Sequence, residues 1–119
     1  ARHADPEAFT VAAFEAMLAL CDRFVAGVRG VLAEHGVPWS IVQLGARAEL
    51  CFAPDPPRSG GASAALHDGP LEDALHLFLL NRGVMITPFH NMALMCPATT
   101  EADVDRHTEV FAEAVAALA

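Results

Sequence analysis

Residues 79–106, LLNRGVMITPFHNMALMCPATTEADVDR, constrain the fold more than any other stretch of the chain. Gly83 ends an apolar helical run, Pro88 and Pro97 interrupt two short apolar segments, and Thr100-Glu-Ala-Asp103 opens a further periodic stretch. Proline cannot donate to a ladder or continue a helix, so each break fixes an element end. The segment therefore reads as a helix terminus, a strand over 84–87, a loop, a second strand over 92–96, and a helix. Thr100 and Asp103 resemble a capping box for that helix, with Asp in place of the usual Glu or Gln.

The same punctuation organises the rest. Asp5-Pro6-Glu7 has the form of a helix start. Phe9, Ala13, Met17, Leu20, Phe24, Val28 and Val31 recur at spacings of three and four, which predicts one amphipathic helix to about His35. Gly27 and Gly30 weaken it unless a close packing partner requires them. Gly36 and Pro38 end it. Residues 39–44 and 49–53 read as an antiparallel strand pair about a Gly45-Ala46-Arg47 turn, with Leu50 and Phe52 on one face. The Pro- and Gly-rich residues 54–69 form a mobile surface loop in this reading. Pro70 opens a helix burying Leu71, Leu75, Phe78 and Leu79, and the last helix buries Val104, Thr108, Phe111, Val115 and Leu118. The order is α-β-β-α-β-β-α: a two-layer α+β domain over residues 1–119, its mainly antiparallel sheet covered by helices.

At 119 residues, 54% of them hydrophobic, the chain has material for one core and not two. A net charge of −8 offers no basic face for nucleic acid. No apolar run is long enough to span a bilayer, and the N-terminus has no signal-peptide core and no initiating methionine. Cys21, Cys51 and Cys96 are odd in number, widely spaced and flanked by apolar residues, the pattern of free buried thiols in a reducing compartment and hence of a cytoplasmic protein.

Among residues that could carry chemistry, the six histidines (His3, His35, His67, His76, His90, His107) form no pair at metal-ligand spacing, so no metal site is expected. His35 suits a helix C-terminus; His76 and His107 read as boundary residues of helices. His90-Asn91 differs, being polar and set in a loop between strands, where recognition residues tend to sit. On the residues alone, a polar turn with Asn91 at an unusual backbone angle explains the pair as well. Ser40, Ser59 and Ser63 lack a nucleophile context, and Gly60-Gly61 lacks the strand and lysine of a phosphate loop. Acid pairs such as Asp103/Asp105 and Glu109/Glu113 read as a solvated helix face, and Met85, Met92 and Met95 as adaptable packing or as the lining of a cleft. Cys96, next to Pro97 and the final helix, is the strongest of three weak candidates for a reactive thiol. No residue qualifies as catalytic.

The order of these motifs resembles the C-terminal small domain of class III (fold-type I) pyridoxal-phosphate aminotransferases, especially the glutamate-1-semialdehyde aminomutase-like branch. The resemblance runs from about Phe9 to Leu118: an opening helix, LGARAELCFAP as a strand pair, a loop of variable length, LLNRGVMITP, and TTEADVDR before the last helix. It implies a domain that packs on a large cofactor-bearing domain of the same protein, in a parent that is a homodimer. The loop Pro88, Phe89, His90, Asn91, Met92 would then line or gate the substrate entrance. The aminomutase branch usually carries a glutamate where Met92 stands, which points to a related transaminase with another amino or carbonyl substrate. Pyridoxal phosphate would be the parent's cofactor. All seven basic residues here are arginines, so this chain has no lysine to form a Schiff base and would bind no cofactor alone. The rival expectation is a free-standing, non-enzymatic ligand-binding or regulatory α+β module using the His90 loop; a small cysteine-dependent enzyme ranks third.

Overall fold

The computed structural model describes residues 9–87 and 90–119, and the Asp5-Pro6 helix start expected from sequence lies outside them. Within them a long helix begins where Thr10, in extended conformation, accepts the Ala13 N–H on its side-chain oxygen at 3.1 Å. This helix, α1 (Val11–His35), ends at Gly36 with φ 62°. The left-handed turn lets Val37 N–H reach back to the Leu32 carbonyl at 3.1 Å, so carbonyls that the helix end orphans are satisfied.

Two strands follow, β1 (Ser40–Leu44) and β2 (Arg47–Cys51), paired antiparallel with Ile41 opposite Leu50 and Leu44 opposite Arg47. The turn between them is Gly45-Ala46, with Gly45 at φ 63°. A third strand, β3 (Met92–Leu94), pairs antiparallel with the far edge of β2, placing Ala93 opposite Ala48 and Leu94 opposite Arg47. Alternation sorts the side chains: Ile41, Ala48, Leu50 and Ala93 are buried and face the helices. Val42, Leu44, Arg47, Glu49, Met92 and Leu94 lie on the other face.

The core lies on the inner face. Helix α3 (Gly69–Leu80) starts at Asp68, whose carboxylate accepts the Leu71 N–H at 3.0 Å, and buries Leu75 and Leu79. Helix α4 (Glu101–Leu118) starts from a true capping box: Thr100 Oγ1 accepts the Asp103 N–H at 3.2 Å, and Asp103 accepts the Thr100 N–H at 2.9 Å. It lies against α1 and α3, so Phe24, Val28, Leu75, Leu79, Val110, Phe111 and Val115 form one core with the inner sheet face. Burying side chains of this size contributes roughly 1.5–3 kcal/mol each, set against the entropy of ordering them.

The two-layer α+β expectation holds, with differences in the elements. Residues 84–87 are not a strand. Val84 N–H turns back to the Leu79 carbonyl at 2.9 Å, and Thr87 N–H bonds to the Met92 carbonyl at 3.1 Å, without the register of a ladder. The stretch 54–69 contains a six-residue helix, α2 (Gly60–Ala65), capped by Ser59 and burying nothing. The last strand stops at Leu94 rather than Cys96, because Cys96 N–H turns to Thr99 Oγ1 at 3.0 Å. On α4 the buried set is Val104, His107, Val110, Phe111, Ala114 and Val115, so His107 is core rather than boundary. Only Cys21 of the three free cysteines is buried; Cys51 is half-buried and Cys96 is exposed. Phe9, placed at the head of the α1 stripe by its spacing, is half exposed, its ring tilted against that of Phe14 with centroids 6.3 Å apart.

Candidate functional site

Of the five residues that the sequence places at a substrate entrance, Pro88 and Phe89 lie outside the described residues. The other three occupy three different environments. His90 is exposed and adopts φ 62°, the one positive φ among the described non-glycine residues. The unusual backbone angle expected at Asn91 thus belongs to its neighbour. A left-handed histidine is strained unless its surroundings fix it, and here its Nδ1 lies 3.3 Å from Glu49 Oε1 on the outer face of β2.

Asn91 is buried. Its carbonyl accepts the Leu50 N–H at 2.8 Å, extending the β2–β3 ladder by one bond, and its side-chain Oδ1 lies 3.2 Å from His76 Nε2 on α3. With that oxygen as acceptor, the ring must carry its proton on Nε2. Asn91 thus ties the sheet to α3 beneath the loop. Met92 begins β3; its carbonyl accepts from both Thr87 N–H at 3.1 Å and Thr87 Oγ1 at 3.0 Å, which holds residues 87 and 92 together at the base of the loop.

Two concavities flank this strand. A cleft of about 100 Å³ lies between the loop and the α2–α3 connection, and Glu49, His67, Glu72 and His90 line it. There His67 Nδ1 sits 3.1 Å from Glu72 Oε1, so both carboxylates already have imidazole partners. No group of three or more metal-ligating side chains occurs among the described residues. A wider open groove, about 460 Å³, runs beyond β3 between residues 83–87 and the first turns of α4. Met85, Ile86, Leu94 and Met95 give it an apolar lining, and Arg106 and His107 stand at its wall.

His107 is the feature that sequence reasoning missed. Its ring sits between Phe24 (centroids 4.3 Å apart) and Phe111 (5.7 Å, nearly parallel). Its Nδ1 is buried without a hydrogen-bond partner among the described residues. Burial away from water disfavours the cation and lowers its pKa from 6.5 to about 4. The signal was present in its spacing, since Val104, His107 and Phe111 fall three and four apart on one helix face.

The thiols divide by environment. Thr99 Oγ1 donates to Cys96 Sγ at 3.4 Å, and this bond, helped by nearby backbone N–H groups, lowers the Cys96 pKa. Desolvation raises those of Cys21 and Cys51. Cys96 has no histidine partner among the hydrogen bonds of the described residues, so the general base of a cysteine enzyme is not assembled. A pyridoxal phosphate group finds no fit either. The sequence holds no lysine, and the one glycine pair at a helix start, Gly60-Gly61, opens a six-residue helix in which no residue is buried.

No family model and no curated protein matches the chain. Solved structures do. Two crystal structures of a glutamate-1-semialdehyde aminomutase from Pseudomonas aeruginosa PAO1, one in complex with PMP, match at TM-score 0.92 and 43% identity. The match covers 96% of this chain and 25% of theirs. A β-phenylalanine aminotransferase from Variovorax paradoxus matches at TM-score 0.69 and 28% identity, over 89% of this chain and 23% of that one. An omega-transaminase from Sphaerobacter thermophilus shares the fold at TM-score 0.76 and 24% identity, over 90% of this chain and 24% of that one. This chain thus spans about a quarter of the length of the enzymes it matches. In sequence and fold together it is a domain-sized match to glutamate-1-semialdehyde aminomutase, consistent with a C-terminal fragment of that family.

Proposed function

We propose that this chain is the C-terminal small domain of a pyridoxal-phosphate-dependent class III aminotransferase or aminomutase, and that it shapes the substrate entrance without performing the chemistry. The observation that carries the reading is the 43% identity at TM-score 0.92 over nearly all of this chain and only a quarter of the aminomutase. Identity at that level follows shared descent as well as shared shape. The parent would transfer an amino group between an amine or amino acid and a carbonyl compound in the cytoplasm, as a homodimer, with the cofactor held by a lysine in the other three quarters of its chain. No helix among the described residues is long and apolar enough to cross a membrane.

The entrance role rests on the loop that ends at Met92. His90 is exposed and held by Glu49 at the rim of the outer sheet face, while Asn91 anchors the loop from below. A rigid base with an exposed polar tip suits recognition better than catalysis. The apolar outer face (Val42, Leu44, Met92, Leu94), opposite the core that α1, α3 and α4 form with the sheet, favours a domain with a partner over a free-standing module.

The test has two parts. Borohydride reduction of the parent protein followed by peptide mapping is expected to place the coenzyme on a lysine outside these 119 residues. In the same protein His90→Ala is expected to raise KM by several-fold with kcat within about twofold, the pattern of lost uniform binding. A parent that carries no coenzyme would end the assignment, and an unchanged KM would end the entrance role.

A further inference from the structure

We infer that the outer face of the sheet docks the remainder of the parent chain around a single charged anchor, with Arg47 meeting a carboxylate side chain of that remainder. The inference rests on the reading of this chain as one domain of a longer enzyme. It adds the surface, the anchor and the chemistry of the group opposite.

Arg47 starts β2 and stands directly across from Leu44 of β1 on one side and Leu94 of β3 on the other. Those leucines, each the last residue of its strand in the end row of the sheet, are 72% and 57% exposed. The guanidinium is therefore framed by apolar surface on the face opposite the core that α1, α3 and α4 form with the sheet. Arg23 pairs with Asp105, Arg82 with Glu113 and Arg106 with Glu109. The Arg47 side chain makes no hydrogen bond or ion pair among the described residues, as is also true of Arg29 and Arg58, but of these three only Arg47 stands in the sheet between two leucines. The apolar surface continues past the hairpin tip to α1, because Leu18 approaches Gly45 there, and Phe14 stands one turn further along.

An apolar face of this kind calls for cover, and covering it desolvates Arg47. A desolvated guanidinium without a partner is strongly unfavourable, whereas a carboxylate matches its planar fork with two parallel hydrogen bonds. The covering surface must therefore offer an acid among apolar groups. A second copy of this face fits poorly. Its only acid in register is Glu49, two residues along the same strand, and His90 engages that carboxylate at 3.3 Å. The matched aminomutase has three quarters of its length outside the region that this chain covers, which supplies an occupant of sufficient size.

The experiment uses the full-length parent enzyme. Hydroxyl-radical footprinting of the wild type is expected to show Leu44 and Leu94 oxidised at least tenfold more slowly than in the urea-unfolded protein. Arg47→Glu is expected to raise amide exchange in β1 and β3 by tenfold or more, while Arg47→Lys stays within about threefold of wild type. If Leu44 and Leu94 oxidise at the unfolded rate in a full-length, coenzyme-loaded enzyme, the docking surface is wrong although the domain assignment stands. Protection that survives Arg47→Glu unchanged would overturn the anchor. If Arg47→Glu is too unstable to purify, Arg47→Leu, which removes the charge without reversing it, decides the anchor: amide exchange in β1 and β3 unchanged from wild type would overturn it. A native gene product of 12.6 kDa would instead remove the reading on which the inference rests.

Discussion

Gly27 of α1 faces Thr108 of α4 so closely that a Cβ on Gly27 would stand 2.5 Å from Thr108 Oγ1. The glycine is what lets the two longest helices approach each other over the core. Thr108 cannot simply swing aside, since its hydroxyl donates to the Val104 carbonyl at 3.2 Å. Gly27→Ala is therefore expected to destabilise the domain by about 1–3 kcal/mol despite the better helix propensity of alanine. Adding Thr108→Ala should recover much of the loss. Gly30 has nothing within 4 Å of an added Cβ, so Gly30→Ala should stabilise by about 0.5–1 kcal/mol. Urea midpoints of the three variants test the pair, and equal effects at positions 27 and 30 would refute the close contact.

His107 gives stability a pH dependence of definite sign. Its folded pKa, about 4, lies below the unfolded 6.5, so between these values the unfolded chain binds the extra proton. Stability is then fully present above pH 6.5, falls as pH drops toward 4, and levels off below it. At 1.36 kcal/mol per pH unit the loss amounts to roughly 3 kcal/mol. Two side chains of opposite charge type, Asp103 and Arg106, line the same groove. His107→Leu is expected to flatten this segment of the profile, and because it also removes an unpartnered ring nitrogen it should cost little at pH 7. Denaturation midpoints at pH 7.5 and 4.5 for both proteins are the check.

Cys96 should be the first thiol to react. It is exposed, and the Thr99 hydroxyl favours its thiolate, whereas Cys21 and Cys51 are pushed the other way by burial. Alkylation at pH 7.5 is expected to label Cys96 first, and Thr99→Val to slow it by roughly two- to fivefold. Labelling of Cys21 before Cys96 would show that the α1–α4 core opens faster than this arrangement allows.

The capping box of α4 is worth about 1 kcal/mol by the usual cost of losing such a cap. Thr100→Ala is expected to lose that much, and Thr100→Ser to retain most of it. Thermal melts of the two variants distinguish the cap from general surface polarity, since only Ala removes the oxygen that Asp103 N–H needs.

Where backbone chemistry dictates an element, the sequence was a sufficient guide. Gly36 with Pro38 marks the end of α1, Thr100 with Asp103 the start of α4, and the alternation in 47–51 puts Leu50 inward. Readings failed where the outcome depended on partners distant in the chain. Residues 84–87 have strand composition, but Val84 N–H is spent on closing α3 and leaves no ladder to build. His107 has a polar name and a core address, decided by Phe24, which lies 83 positions earlier in the chain. Asn91 is the usual occupant of a left-handed turn, yet His76 draws its side chain inward and His90 takes the strained angle instead. The candidate entrance was legible as a loop with two polar residues; its tie to Glu49 and the framing of Arg47 by leucines required the register of three strands.

The central claim is that these 119 residues serve a larger enzyme, and the most direct test is the intact mass of the native gene product isolated from its source cells. The account expects a single polypeptide several times heavier than 12.6 kDa, about fourfold if its length follows the matched aminomutase. A native product of 12.6 kDa would contradict it, leaving the resemblance to the aminomutase one of structure without the enzyme.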